Sequence, residues 1–214
     1  MRVLLRTRFI GPSLVILTGL IVVTALASPL DRTLGEATRM VYVHGAIIRV
    51  VMGILVIAGG LGLAYLVTRR EVVFDWARAA FEGGLVLWII YLGTSVVTTL
   101  QSWGAIAWFE PRWMVTLQMT GVLPIVFVVG LIVKNSKISA ALFAVVPIVM
   151  MLLLAQARLV LHPLDPIGAS GSSAIQLAYV VMLIWWALVG VQVVRGLRAL
   201  AAARQSTARQ AVRA

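Results

Sequence analysis

Residues 46–67 read AIIRVVMGILVIAGGLGLAYLV, a run broken by a single charge, Arg49. About 20 apolar residues in helical form cross a bilayer core of roughly 30 Å, so this stretch is long enough for one transmembrane helix. Runs of the same kind recur at about 9–28, 79–101, 114–133, 139–160 and 174–194. The whole chain of 214 residues is 62% hydrophobic and 12% charged, which places it in the membrane class. The connections are short. The expected fold is therefore an all-α membrane protein: one bundle of six transmembrane helices over residues 1–194, followed by a basic tail over 195–214.

The formal charge of +11 is unevenly placed. Arg2, Arg6 and Arg8 precede the first run, and Arg69, Arg70 and Arg78 lie between the second and third. Lys134 and Lys137 join the fourth and fifth, and Arg195, Arg198, Arg204, Arg209 and Arg213 follow the sixth. In a six-span arrangement all thirteen fall on one side. The other side carries Arg32, Arg39, Arg112 and Arg158, balanced by Asp31, Glu36, Glu110 and Asp165. This is the positive-inside pattern, and it predicts both termini in the cytoplasm. The basic tail then faces anionic lipid or solvent, and nucleic acid is not expected as a partner.

Basic residues, an apolar run and Ala25-Leu26-Ala27 also resemble a signal peptide with its cleavage site. The run is long for a signal h-region, so a retained span is expected. The absence of cysteine excludes thiol–disulfide chemistry, Fe–S ligation, thiolate-bound haem and covalent haem attachment to this chain. No phosphate-binding G-x-x-x-x-G-K-[ST] loop and no G-x-S-x-G turn is present, so an independent catalytic role is not expected.

Outer-face residues carry the unusual chemistry. Thr99 to Trp113 reads TLQSWGAIAWFEPRW and holds three of the seven tryptophans at a spacing of five. Five helical steps turn through roughly 140°, so these rings do not form one stripe of an ordinary helical core. The chain's two histidines, His44 in RMVYVHGA and His162 in RLVLHPLDPIG, are expected on the same face, at the entrance to the second span and the exit from the fifth. Two imidazoles from separate segments suffice for the axial positions of haem iron. Indole rings offer stacking area for a porphyrin, and Arg112, Arg39 and Arg49 offer guanidinium groups for its propionates. Each feature also has a plainer account. Tryptophan gathers at membrane interfaces as an aromatic belt, Arg49 can snorkel from the start of its span, and the histidines can be surface residues. Glu110 or Asp165 could complete a zinc site with the histidines.

Taken together, the segments resemble the CcmC-type haem-handling proteins of cytochrome c assembly. YVHGA (42–46) matches the first histidine position, WGAIAWFEPRW (103–113) the tryptophan-rich WWD motif, and LVLHP (160–164) the second histidine. The likeness extends from about Arg39 to Trp186. Within the motif, Trp103-Gly104, Trp108 and Arg112 agree, whereas Phe109 replaces a tryptophan and Glu110 an aspartate. The resemblance implies a multi-pass protein of a bacterial or archaeal inner (cytoplasmic) membrane, with one histidine in each outer loop flanking the motif. It implies His44 and His162 as axial ligands of a transient, non-covalent b-type haem. Trp103, Trp108, Phe109, Glu110 and Arg112 would form the haem platform. The partners it implies are a haem chaperone or apocytochrome c, ABC-type transporter subunits and the lipid bilayer. A cofactor-free permease subunit and a b-type haem electron-transfer subunit are the alternative readings.

Three further features have structural expectations. Arg78 and Glu82 stand at i,i+4 spacing and should form an ion pair. Gly59, Gly60 and Gly62 should permit close helix approach, and Pro124 and Pro147 are tolerated inside spans.

Overall fold

A computed structural model describes residues 7–158 and 167–213, and every element in it is helical. After a short 3-10 turn at Thr7–Phe9 come α1 (Ile10–Ala27), α2 (Ala37–Thr68), α3 (Glu71–Trp103), α4 (Pro111–Val133), α5 (Ser136–Gln156) and α6 (Ser173–Arg213). All six are long and apolar enough to cross a membrane. Short connections make successive helices antiparallel. One end of the bundle, the Trp end, therefore carries the α1–α2 and α3–α4 connections together with the end of α5 and the start of α6. The basic end carries Arg69–Arg70 and Lys134–Asn135.

Hydropathy undercounts several helices. α2 begins nine residues before the apolar run at 46, and α3 begins eight before the run at 79. With 32 and 33 residues they measure about 48–50 Å at 1.5 Å per residue, well beyond a core of roughly 30 Å. The early turns of α2 are nevertheless buried by protein, with Thr38, Tyr42 and Ala46 all inaccessible. They are apolar by environment although ATRMVYVHG is not apolar by composition. The segment 195–213, expected as a tail, is the unbroken continuation of α6, which runs 41 residues to Arg213.

α2 is the central helix. It packs most extensively on α3, then on α5 and α6, while α1 lies mainly against α6 and α4 against α5. One face of α2, comprising Tyr42, Ile47, Val51, Leu55, Ala58, Gly59, Gly62 and Tyr65, is buried along its length. Apolar burial gives little preference between protein and lipid, so helix contact here depends on close packing and interhelical hydrogen bonds. The glycines divide accordingly. A Cβ on Gly62 would stand 2.5 Å from the Ala140 carbonyl oxygen, and one on Gly59 would stand 2.9 Å from Pro147 Cγ. Gly60 faces open space.

Local chemistry sets the turns. Arg69 and Lys134 end α2 and α4 in the left-handed region, at φ 57° and 50°. Asn135 caps α5 by accepting the N–H groups of Lys137 and Ile138 at 2.9 and 3.3 Å. Gly104 ends α3 at φ 73°, with its N–H on the Leu100 carbonyl at 3.0 Å. That break dissolves the puzzle of tryptophans five apart, because Trp103 closes α3, Trp108 lies in the connection, and Trp113 opens α4.

Candidate functional site

His44 is the eighth residue of α2, so it stands inside a helix and not on the flanking loop expected for it. The cause is the continuous burial of Thr38, Tyr42 and Ala46, which keeps the chain helical well before the apolar run begins. Its half-buried ring stacks on Tyr91 of α3 with centroids 5.2 Å apart and planes 24° from parallel. Nδ1 lies 3.2 Å from Ser95 Oγ, one helical turn further along α3. When Nδ1 donates to that oxygen, the lone pair of the neutral imidazole resides on Nε2. This is the usual arrangement of a metal-ligating histidine, oriented by a second hydrogen bond.

The polar contacts continue from α3 to α4. Thr116 donates to the Arg112 carbonyl at 2.9 Å, so its oxygen accepts the Tyr91 hydroxyl, also at 2.9 Å. Thr120 repeats the pattern one turn on, donating to the Thr116 carbonyl and accepting Trp88 Nε1 at 3.0 Å. These two bonds tie α4 to α3 where their apolar packing is sparse. Trp88, Tyr91, Ser95 and Thr98 follow one face of α3 at helical spacing. That periodic set was the sequence signal for this polar face, and it is hidden within an otherwise apolar run. Arg112 precedes Thr116 by one turn of α4 and accepts its hydroxyl through the main-chain carbonyl, which ties the motif to the Tyr91 contact.

The motif residues take different roles. Trp103 and Trp108 are 40% and 54% exposed, and Phe109 is 94% exposed, so three large rings stand at the surface of the Trp end. Trp113 is 5% exposed and packs against Trp108 at 6.0 Å. Glu110 is only 2% exposed and does not present its charge outward. Its Oε2 accepts the Trp113 N–H at 2.8 Å, capping α4 just before Pro111. Oε1 has no hydrogen-bond partner among the described residues.

Arg39 and Arg49 have defined partners. Arg39 holds Glu36 at 2.7 Å and the Leu26 carbonyl at 3.0 Å, fastening the corner between α1 and α2. Arg49 lies 5.0 Å from the centre of the Tyr179 ring, and the Tyr179 hydroxyl donates to the Gly45 carbonyl at 2.8 Å. This cation–π contact joins α2 to α6 directly beside His44. His162 and Asp165 lie outside the described residues. Among the described residues no three of His, Cys, Asp and Glu are grouped to hold a metal ion.

As a donor set for haem, the described part fits. A helix-borne imidazole is oriented through Nδ1, indole surface is available at the same end, and Arg112 stands in the first turn of α4 at that end. The chain matches no known protein family, and no curated protein aligns with it significantly.

Proposed function

We propose that the chain binds haem at the Trp end of its membrane bundle, on the outer side of the inner membrane, and presents it for cytochrome c maturation. In this reading His44 and His162 would hold the haem iron. Trp103 and Trp108 cover the macrocycle, Phe109 extends that apolar surface, and Arg112 neutralises a propionate. Arg49 can assist, since a guanidinium stacked on a ring keeps in-plane N–H donors. Arg39 is the weaker candidate because Glu36 already holds it. The charge distribution supports the sidedness. A haem chaperone or apocytochrome c would be the recipient, with ABC-type transporter subunits as companions.

The observation that carries this reading is the His44–Ser95–Tyr91 arrangement at the same bundle end as the exposed tryptophans. Bound haem would supply iron with two exchangeable axial positions. Ser95 and Tyr91 hold the His44 ring in a fixed orientation. Arg112 would provide a cation from the first turn of α4, and the tryptophans would exclude water from an apolar face.

The helical position of His44 also favours a second reading. An electron-transfer subunit with resident b-type haem takes its ligands from helices. Absorption spectra of the detergent-purified, haem-loaded protein, oxidised and dithionite-reduced, test the site beside His44→Ala and His162→Ala. The expected result is a six-coordinate spectrum that changes in each variant. Full haem content and an unchanged spectrum after both replacements would overturn the proposal. Transfer of haem to an apocytochrome then separates a carrier from a resident cytochrome, and absence of haem leaves a permease.

A further inference from the structure

A second candidate site lies at the basic end, away from the histidines and tryptophans. A cleft of about 330 Å³ opens between α3, α4 and α5. This is within the range of roughly 300–1,000 Å³ found for small-molecule sites. One wall is aromatic. The Phe143 ring stacks on Phe81 at 4.6 Å and on Phe74 at 6.4 Å, and Phe127 enters from α4. The other wall is charged. Arg78 and Glu82 pair at 2.7 Å, as their spacing predicts, and Lys134 stands at the mouth.

The placement of that ion pair is unusual. Phe74 and Phe81, which flank Arg78 on α3, both stack on Phe143, seven residues into α5. Arg78 therefore lies roughly 10 Å along the bundle from the start of α5. Ionisable groups inside a spanning helix face a cavity or a partner and mark binding paths. Here the Arg78 side chain is 49% exposed, so it opens into the cleft and is not sealed in the core. Lys134 is exposed and forms no ion pair among the described residues. With Glu82 matched to Arg78, the cleft retains one positive charge, that of Lys134, while the opposite dipole ends of α4 and α5 at its mouth offset one another. From Leu131 at the edge of the cleft, α4 continues as bare apolar surface through Val128 and Ile132.

We infer that this cleft binds an anionic phospholipid, with its phosphodiester between Lys134 and Arg78 and one acyl chain running over Phe127 and Leu131 along α4. Three properties favour this occupant over a free anion. The aromatic wall requires apolar atoms. The open side of the cleft meets the lipid-facing surface of α4. The first amides of α5 are already taken by Asn135, so few convergent donors remain for a small oxyanion. Net positive charge favours a phosphatidylglycerol-type headgroup over a zwitterionic one.

Native mass spectrometry of the full chain in detergent tests this with added phosphatidylglycerol and phosphatidylcholine. Lys134→Asn removes the cation and keeps a residue that tolerates the left-handed turn. Lys137→Asn removes another exposed charge, in the first turn of α5, that does not line the cleft. Phosphatidylglycerol should be retained about fivefold more than phosphatidylcholine, and Lys134→Asn should cost that preference while Lys137→Asn keeps it. Equal retention of the two lipids would overturn the inference, as would equal losses in both variants. Displacement of the lipid by inorganic phosphate at matched concentration would identify a free-anion site instead.

Discussion

The close approach of α2 and α5 yields a quantitative test through Gly62→Ala. The added Cβ would sit 2.5 Å from the Ala140 carbonyl oxygen and 3.4 Å from its carbon. Both are backbone atoms, so no side-chain rotation relieves the overlap. Ordinary C···O contact begins near 3.3 Å, and the helices must part by about 0.8 Å to reach it. Overpacking of this size costs about 1–3 kcal/mol. Replacing a helical glycine by alanine simultaneously gains about 0.8–1 kcal/mol of propensity. Gly60→Ala isolates that gain, because its Cβ would meet nothing within 4 Å. The difference between the variants is thus the steric term, about 2 kcal/mol. It corresponds to roughly 4–8 °C in melting temperature for a chain of this size. Gly59→Ala, with contacts at 2.9 Å to Pro147 Cγ and 3.1 Å to the Phe143 oxygen, should fall between them. Thermal unfolding of the detergent-solubilised protein, followed by circular dichroism, provides the measurement. If Gly62→Ala melted within about 1 °C of Gly60→Ala, the packing argument would be refuted. Gly62 is eighteen residues from His44 on the same helix, about 27 Å, so any haem spectrum should survive the change.

Three other predictions address the Trp end. Ser95→Ala removes the Nδ1 partner of His44 and should weaken haem retention about 10–100-fold while the fold persists, measured by haem titration. Glu110→Ala removes the cap of α4 and should cost about 0.5–2 kcal/mol in thermal unfolding, whereas Glu110→Asp should recover much of it. Asp31 has its carboxyl held below the usual value of 3.8, chiefly by the Thr33 hydroxyl, then by the Thr33 and Leu34 amides. Its contribution is complete above that value and disappears as pH falls through the lower, folded one. Asp31→Asn should therefore lower stability slightly at neutral pH, where the carboxylate contributes fully, and flatten the acid limb of a stability–pH curve below about pH 4.

The helices and the candidate site differed in how much of them the sequence disclosed. Helices α4 and α5 lie close to their apolar runs because nearly every residue in them is compatible with lipid. The starts of α2 and α3 were not legible, since Thr38, Tyr42 and His44 look polar in isolation and become buried only against other helices. The helical state of the basic segment after the sixth run was not legible for a related reason. Apolar composition stops near Val194, but backbone hydrogen bonding continues to Arg213. At the site, the histidine, tryptophans and Arg112 were visible as residue types. Their division of labour was not: Glu110 and Trp113 turn inward while Trp108 and Phe109 stay out.

By itself, then, the sequence determined six apolar helices, their order and the clustering of basic residues in alternate connections. Those are properties of local composition and of the chain's reach, which neighbours do not alter. Only the tertiary structure decided which polar groups face one another. The pairing of His44 with Ser95 across 51 residues, of Tyr91 with Thr116, and of Arg49 with Tyr179 depends on helix rotation and depth. The close contacts of Gly59 and Gly62 and the interhelical hydrogen bonds set both, because apolar side chains are equally at ease against lipid or protein.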